Sequence, residues 1–195
     1  ESYATVAEAL SKGAIAAGDT VYFIAIDHGG LALRDLNFAS PVIFTSQPGA
    51  RAHFQFVTIT NSRNITLKSL DIWPTGAGDG MGAVFRALDN TDSIVAEDLD
   101  IRSVEKAAGY PKWRRATWLA NKRNGALLQG TNSVVRNSRF TGTFNAIAVQ
   151  GANSLIEGNT VAGFSGDGLR ALGTDSAIRN NSVTDCVSVS DAHND

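Results

Sequence analysis

Short stretches of alternating apolar and polar residues run through this chain, and one stretch is written three times, at residues 131–142 (TNSVVRNSRFTG), 152–163 (ANSLIEGNTVAG) and 174–185 (TDSAIRNNSVTD). The equivalent apolar positions Val135, Ile156 and Ile178 lie 21 and 22 residues apart, a fixed period that marks stacked structural repeats. Within each copy the alternation has period two and ends at a Gly, Asn or Asp turn, so each copy predicts short strands joined by corners and none predicts a helix. A coil of about 21 residues buries no core alone, so coils must stack and pair their backbones in parallel.

The polar positions of the copies carry the same message. Ser138, Asn159 and Asn181 fall at one place in successive coils, where side chains hydrogen-bond to the coils above and below, as amide ladders do in stacked strands. The repeated N-S-x-[VLI]-x-x-N pattern resembles the right-handed parallel β-helix (pectate-lyase-like) superfamily over roughly residues 15–195. The resemblance implies an all-β, right-handed parallel β-helix of about six or seven coils, and it specifies a fold rather than an activity.

Read from its start, the chain places Val6, Ala9 and Leu10 on one face of a short helix within residues 3–12, expected to cap the first coil. Gly18-Asp19-Thr20 turns into an alternating strand at residues 21–26, and residues 30–60 supply the first irregular coils. A single domain is expected, with residues 1–14 as cap and 15–195 as coils. Residues 64–72 and 93–101 are weaker copies of the repeat. Matching Ile65, Ile94 and Val135 gives steps of 29 and 41 residues, hence extra loops of about 8 and about 20 residues at 74–82 and 102–123. Such insertions collect at corners and often carry binding.

Composition narrows the classes. With 19 Gly, 18% charged residues and a net charge of −2, the chain is turn-rich and shows no global attraction to nucleic acid or membrane. Its lone Cys186 excludes an internal disulfide and is expected to be a buried small residue. The three histidines are scattered, with His28 and His53 expected to be structural and unpaired, so no zinc site is expected. The glycine-rich insert at 76–82 matches no phosphate loop and no repeated calcium turn. No cofactor is expected, and calcium is left without a motif to place it.

The insert at 102–123 is the one basic stretch, with six cations and three aromatics against one acid between Glu105 and Arg123. Tyr110, Trp113 and Trp118 offer faces for sugar rings, and Arg114 and Arg115 offer forks for carboxylates, which points to an acidic polysaccharide as partner. The competing reading is that the tryptophans pack on the coils and the cations are only solvated. Asn124, Asn145, Asp167 and Asp195 then recur at the start of the next strand, either as an outward column for a linear sugar chain or as caps of strands and turns.

The last segment holds Asp191, His193 and Asp195, an acid–histidine–acid run suited to proton transfer near neutral pH. It resembles the D-P-H-D motif of mannuronan C5-epimerases, with Ala192 in place of proline and Asn194 before the second acid. That resemblance implies that Asp191 and His193 stand at the proton abstracted from C5. Lyase and epimerase reactions both need a base and a cation to neutralise the uronate carboxylate, and His193 and Arg170 are the residues expected for them. The sequence thus supports recognition, with lyase or epimerase processing, of an acidic extracellular polysaccharide. Two rivals stand beside it: a non-catalytic phage or particle spike at a virion surface, usually a trimeric homo-oligomer, and a glycoside hydrolase with Asp167 and Asp195 as its acid pair. No cap is visible after Asp185, so a longer polypeptide or a covering partner chain is expected at that end.

Overall fold

The computed structural model describes residues 1–76, 82–88 and 90–189. Among these, seven strands stack in parallel as sheet 1, from Thr20–Phe23 through Asn37–Ser46, Arg63–Lys68, Asp92–Glu97, Val134–Arg136 and Leu155–Glu157 to Ala177–Arg179. Two further parallel stacks complete each coil. Sheet 2 runs from Leu70–Ile72 through Asp100–Arg102, Arg139–Thr143 and Thr160–Phe164 to Ser182–Cys186. Sheet 3 runs from Ala83–Ala87 through Asn124–Leu128 and Ile147–Val149 to Leu169–Ala171. At the N-terminal end the two are one, because Ala52–Thr60 pairs with Leu70–Ile72 through its first half and with Ala83–Ala87 through its second.

Period-two alternation sends one residue in two inward, and the inward ones stack in columns. Val135 pairs with Ile156 and Ile156 with Ile178, as the repeat spacing predicts. A second column joins Phe54, Ile72, Ile101, Phe140 and Val161, all of them buried. Each such side chain contributes about 1.5–3 kcal/mol on leaving water. On the outer face of sheet 1, Lys68, Glu97, Arg136, Glu157 and Arg179 occupy one register column with alternating sign. Ion pairs of 2.9, 2.6 and 2.8 Å join Lys68 and Arg136 to Glu97 and Arg179 to Glu157. The hydrogen bond from Lys68, helped by Arg136 against the cost of burial, holds the Glu97 carboxyl below its ordinary value.

The corner between sheets 1 and 2 is held by the expected ladder. Asn159 Oδ1 accepts from the Ser138 backbone N–H at 3.0 Å, and Asn181 Oδ1 accepts from that of Asn159 at 2.8 Å. Ser138 Oγ extends the series by accepting from Leu99 N–H. Beside it stand Ser69, Asp98, Asn137, Gly158 and Asn180, all at positive φ, and a second such column, Asn64, Ser93, Asn132, Asn153 and Asp175, stands at the starts of the last five sheet 1 strands. Short polar residues and glycine tolerate this conformation, which explains why Asn, Asp and Gly bracket every repeat.

Three expectations are corrected. Ile65 does pair with Ile94, but Val135 pairs with Ala96, so the step is 39 residues and the insert about 18. Ile94 and Ala96 both point inward, and a slip of two residues preserves the alternation. Cys186 is exposed rather than buried, since it stands in the last described strand, in register with the inward-facing Phe164, and no described coil stacks on it. His53 is paired, as described below. The N-terminal helix, α1 (Val6–Ser11), buries Ala9 and packs Val6 against the core, with Thr5 Oγ1 capping it by accepting from Glu8 N–H.

Candidate functional site

The 102–123 insert leaves sheet 2 after Arg102 and enters sheet 3 at Asn124. It folds into a 3₁₀ turn, Ala107–Lys112, that packs on the sheet 2 strand Arg139–Thr143, and a short helix, α2 (Arg115–Ala120). Gly142, Gly163 and Asp185 make this possible. They form a column of positive φ (66, 71 and 62°) at the ends of three successive strands, two of them without side chains. The Trp113 ring rests on Gly142, where a Cβ would lie 3.1 Å from it, and the Tyr110 ring rests on Gly163, where a Cβ would lie 2.5 Å from it. Trp118 is buried beneath them, its ring edge-on to Trp113 at 5.0 Å. The Tyr110 hydroxyl donates to the Asp185 carboxylate; this bond, burial and the carboxylate's charge push the phenol's pKa up.

The three aromatics therefore serve as anchors of the loop. Arg123 is buried and donates to the carbonyls of Ser103 and Gly76, and Lys122 lies 4.0 Å over the Phe144 ring. Lys106, Lys112, Arg114 and Arg115 stay exposed and form no ion pair among the described residues. Asn124, Asn145 and Asp167 do stack, in the register expected, and are half-buried. Their acceptors are used between successive coils: Asn124 Oδ1 accepts from Asn145 N–H at 3.1 Å and Asn145 Oδ1 from Asp167 N–H at 2.8 Å. Asp167 is ion-paired with Arg170 at 2.9 Å, which brings these two candidates together. Asp191, His193 and Asp195 lie outside the described residues, as do residues 77–81 of the glycine-rich insert.

A second feature lies on the outer face of sheet 2, ahead of the loop. Asp27, His53, Asp71, Asp100 and Arg139 share a register column, with Trp73 and Arg102 ending strands beside it. His53 is buried, with Nε2 2.8 Å from the Trp73 carbonyl and Nδ1 3.2 Å from Asp27 Oδ1. The Trp73 ring stacks on His53 at 4.6 Å, and the Arg102 guanidinium lies 4.2 Å over the same ring. Arg51 donates to Asp71 at 2.6 Å and to Asp98 at 3.2 Å, contacts that outweigh burial and keep its guanidinium charged. Of these groups Asp27, Arg51, His53, Asp71 and Trp73 line a cleft of ≈ 420 Å³, with Gln55 and Glu105 at its sides. Its signal in the sequence was the polar residue at the outward position of each early strand, at His53, Asp71 and Asp100, which the alternation alone leaves without a role.

Among the described residues no group of His, Cys, Asp or Glu is arranged to hold a metal ion, and no helix is long and apolar enough to cross a membrane. No curated protein and no solved structure matches the chain. Residues 114–193 match the family described as "Right handed beta helix region". With three stacks of parallel strands, a fixed corner ladder and inward columns in register, the chain is a right-handed parallel β-helix.

Proposed function

We propose that this β-helix recognises an acidic extracellular polysaccharide through the cations of the 102–123 loop. One observation carries the reading: Lys112, Arg114 and Arg115 are exposed and have no ion pair among the described residues, on a loop whose Tyr110, Trp113 and Trp118 are seated on the sheet. Cations on an anchored loop bind a polyanion without the cost of ordering the loop first. Lyase or C5-epimerase processing fits the same substrate, with His193 and Asp191 as proton-transfer groups and Arg170 beside the uronate carboxylate. The test is a panel of uronate polymers, scored for binding, for new unsaturated ends and for solvent-proton exchange at C5. Binding that falls with salt is expected; no binding to any uronate counts against the reading. His193→Ala is expected to abolish turnover and keep binding, and unchanged turnover removes His193 from the mechanism.

A second reading, a non-catalytic spike or fibre assembled from several chains, is supported by the last described coil. Ile178 and Val183 stand in inward columns yet are 45% and 40% exposed. A partner chain stacked on this coil would bury them, as would further coils of the same polypeptide, and sedimentation at increasing concentration tests for the partner.

A further inference from the structure

We infer that the cleft on sheet 2 is a separate subsite for an uncharged, hydroxyl-rich sugar ring, adjoining the loop that takes the acidic residues. The inference rests on the polysaccharide reading above and adds the composition of the polymer. The place is set by the insertions: both leave the solenoid from ends of sheet 2 strands, one after Trp73 and the other after Arg102, and Trp73 and Glu105 line the cleft.

The chemistry of the lining excludes a uronate there. Asp27, Asp71 and Glu105 bring three carboxylates, whereas Arg51, the one Lys or Arg of the lining, is already committed to Asp71, Asp98 and the carbonyls of Leu70 and Asp98. A fourth carboxylate entering this cleft meets charge of its own sign and, among the described lining residues, no uncommitted Lys or Arg. Hydroxyl groups meet the opposite situation. Asp27 Oδ2 and Asp71 Oδ2 accept no hydrogen bond among the described residues, and the Gln55 amide both donates and accepts. The stack of His53, Trp73 and Arg102 keeps the wall rigid, and the volume of ≈ 420 Å³ suits one or two sugar rings.

The experiment compares hyaluronan oligosaccharides, in which uronate alternates with a neutral sugar, with alginate oligosaccharides, which are all uronate. The parent is expected to bind hyaluronan at least about tenfold more tightly than alginate, and Asp27→Asn/Gln55→Ala to erase that preference. Asp27 is exposed and Gln55 half-buried, so folding is expected to survive, and equal urea midpoints check it. Glu105→Lys, at an exposed position, is expected to shift the preference toward alginate by placing a cation in the cleft. Equal affinity of the parent for both polymers, or a preference untouched by all three substitutions, overturns the subsite. Failure of Arg114→Ala/Arg115→Ala to weaken either polymer overturns the loop reading instead, so the two ideas fail separately.

Discussion

Replacing Asn159 by alanine tests the corner ladder at its most buried point. Asn159 is 1% exposed. Its Oδ1 accepts from Ser138 N–H at 3.0 Å, and its Nδ2 donates to the Val135 carbonyl at 2.9 Å and to Asn181 Oδ1 at 3.0 Å. Alanine leaves the Ser138 N–H and the Val135 carbonyl without these partners, while Asn181 Oδ1 still accepts from the Asn159 backbone. At about 1–3 kcal/mol for each buried group left unsatisfied, the loss is about 4 kcal/mol. For a chain of this size that lowers the melting temperature by about 10 °C. Urea unfolding followed by circular dichroism measures the loss, and amide hydrogen exchange at Ser138 locates it, since coils of a solenoid can open one by one. A loss below about 0.5 kcal/mol with Ser138 still protected refutes the claim that side-chain amides hold this corner.

Three further outcomes follow from the same geometry. Gly163→Ala forces a Cβ to 2.5 Å from the Tyr110 ring at φ 71°, so a loss of about 2–4 kcal/mol is expected, partly recovered by adding Tyr110→Ala; a neutral effect contradicts the seating of the loop. Glu97→Gln is expected to cost about 1 kcal/mol at pH 7, and the deficit should close in acid. A lowered carboxyl contributes stability that is present above its ordinary value of 4.5 and lost as pH falls through its folded value, so urea midpoints of parent and variant should converge below it. Tyr110→Phe should remove one of the phenols that ionise late in an alkaline absorbance titration. The raised value means that its contribution is complete below pH 10.0 and lost only as pH rises through the folded value; an unchanged titration contradicts the bond to Asp185.

The repeat was legible because its physics is local. Inward and outward positions alternate, turns demand Asn, Asp or Gly, and a constant period stacks equal positions, so the spacing alone puts Val135, Ile156 and Ile178 in one column, where they stand. A long insertion breaks that logic. Alternation fixes a register only to within two residues, and the choice between Ile94 and Ala96 as partner of Val135 was therefore open to error. The seating of the loop was hidden for another reason: it depends on Gly142, Gly163 and Asp185, residues 29 or more positions beyond the aromatic or hydroxyl contact each receives. The cleft was hidden because Asp27, His53, Asp71 and Trp73 come from three coils. Only the register of irregular early strands, one of them shared by two sheets, brings them together.

The aromatics hold the loop on the sheet and its cations are proposed to read the ligand, and one paired measurement separates these roles most directly. Calorimetric titration of an alginate oligosaccharide into Arg114→Ala/Arg115→Ala and into Trp113→Ala is combined with the urea midpoint of each. The account predicts that the double arginine variant loses at least about tenfold in affinity at an unchanged midpoint, and that Trp113→Ala loses about 3 kcal/mol of stability. Full affinity in the arginine variant, or an unchanged midpoint with lost binding in the tryptophan variant, contradicts it.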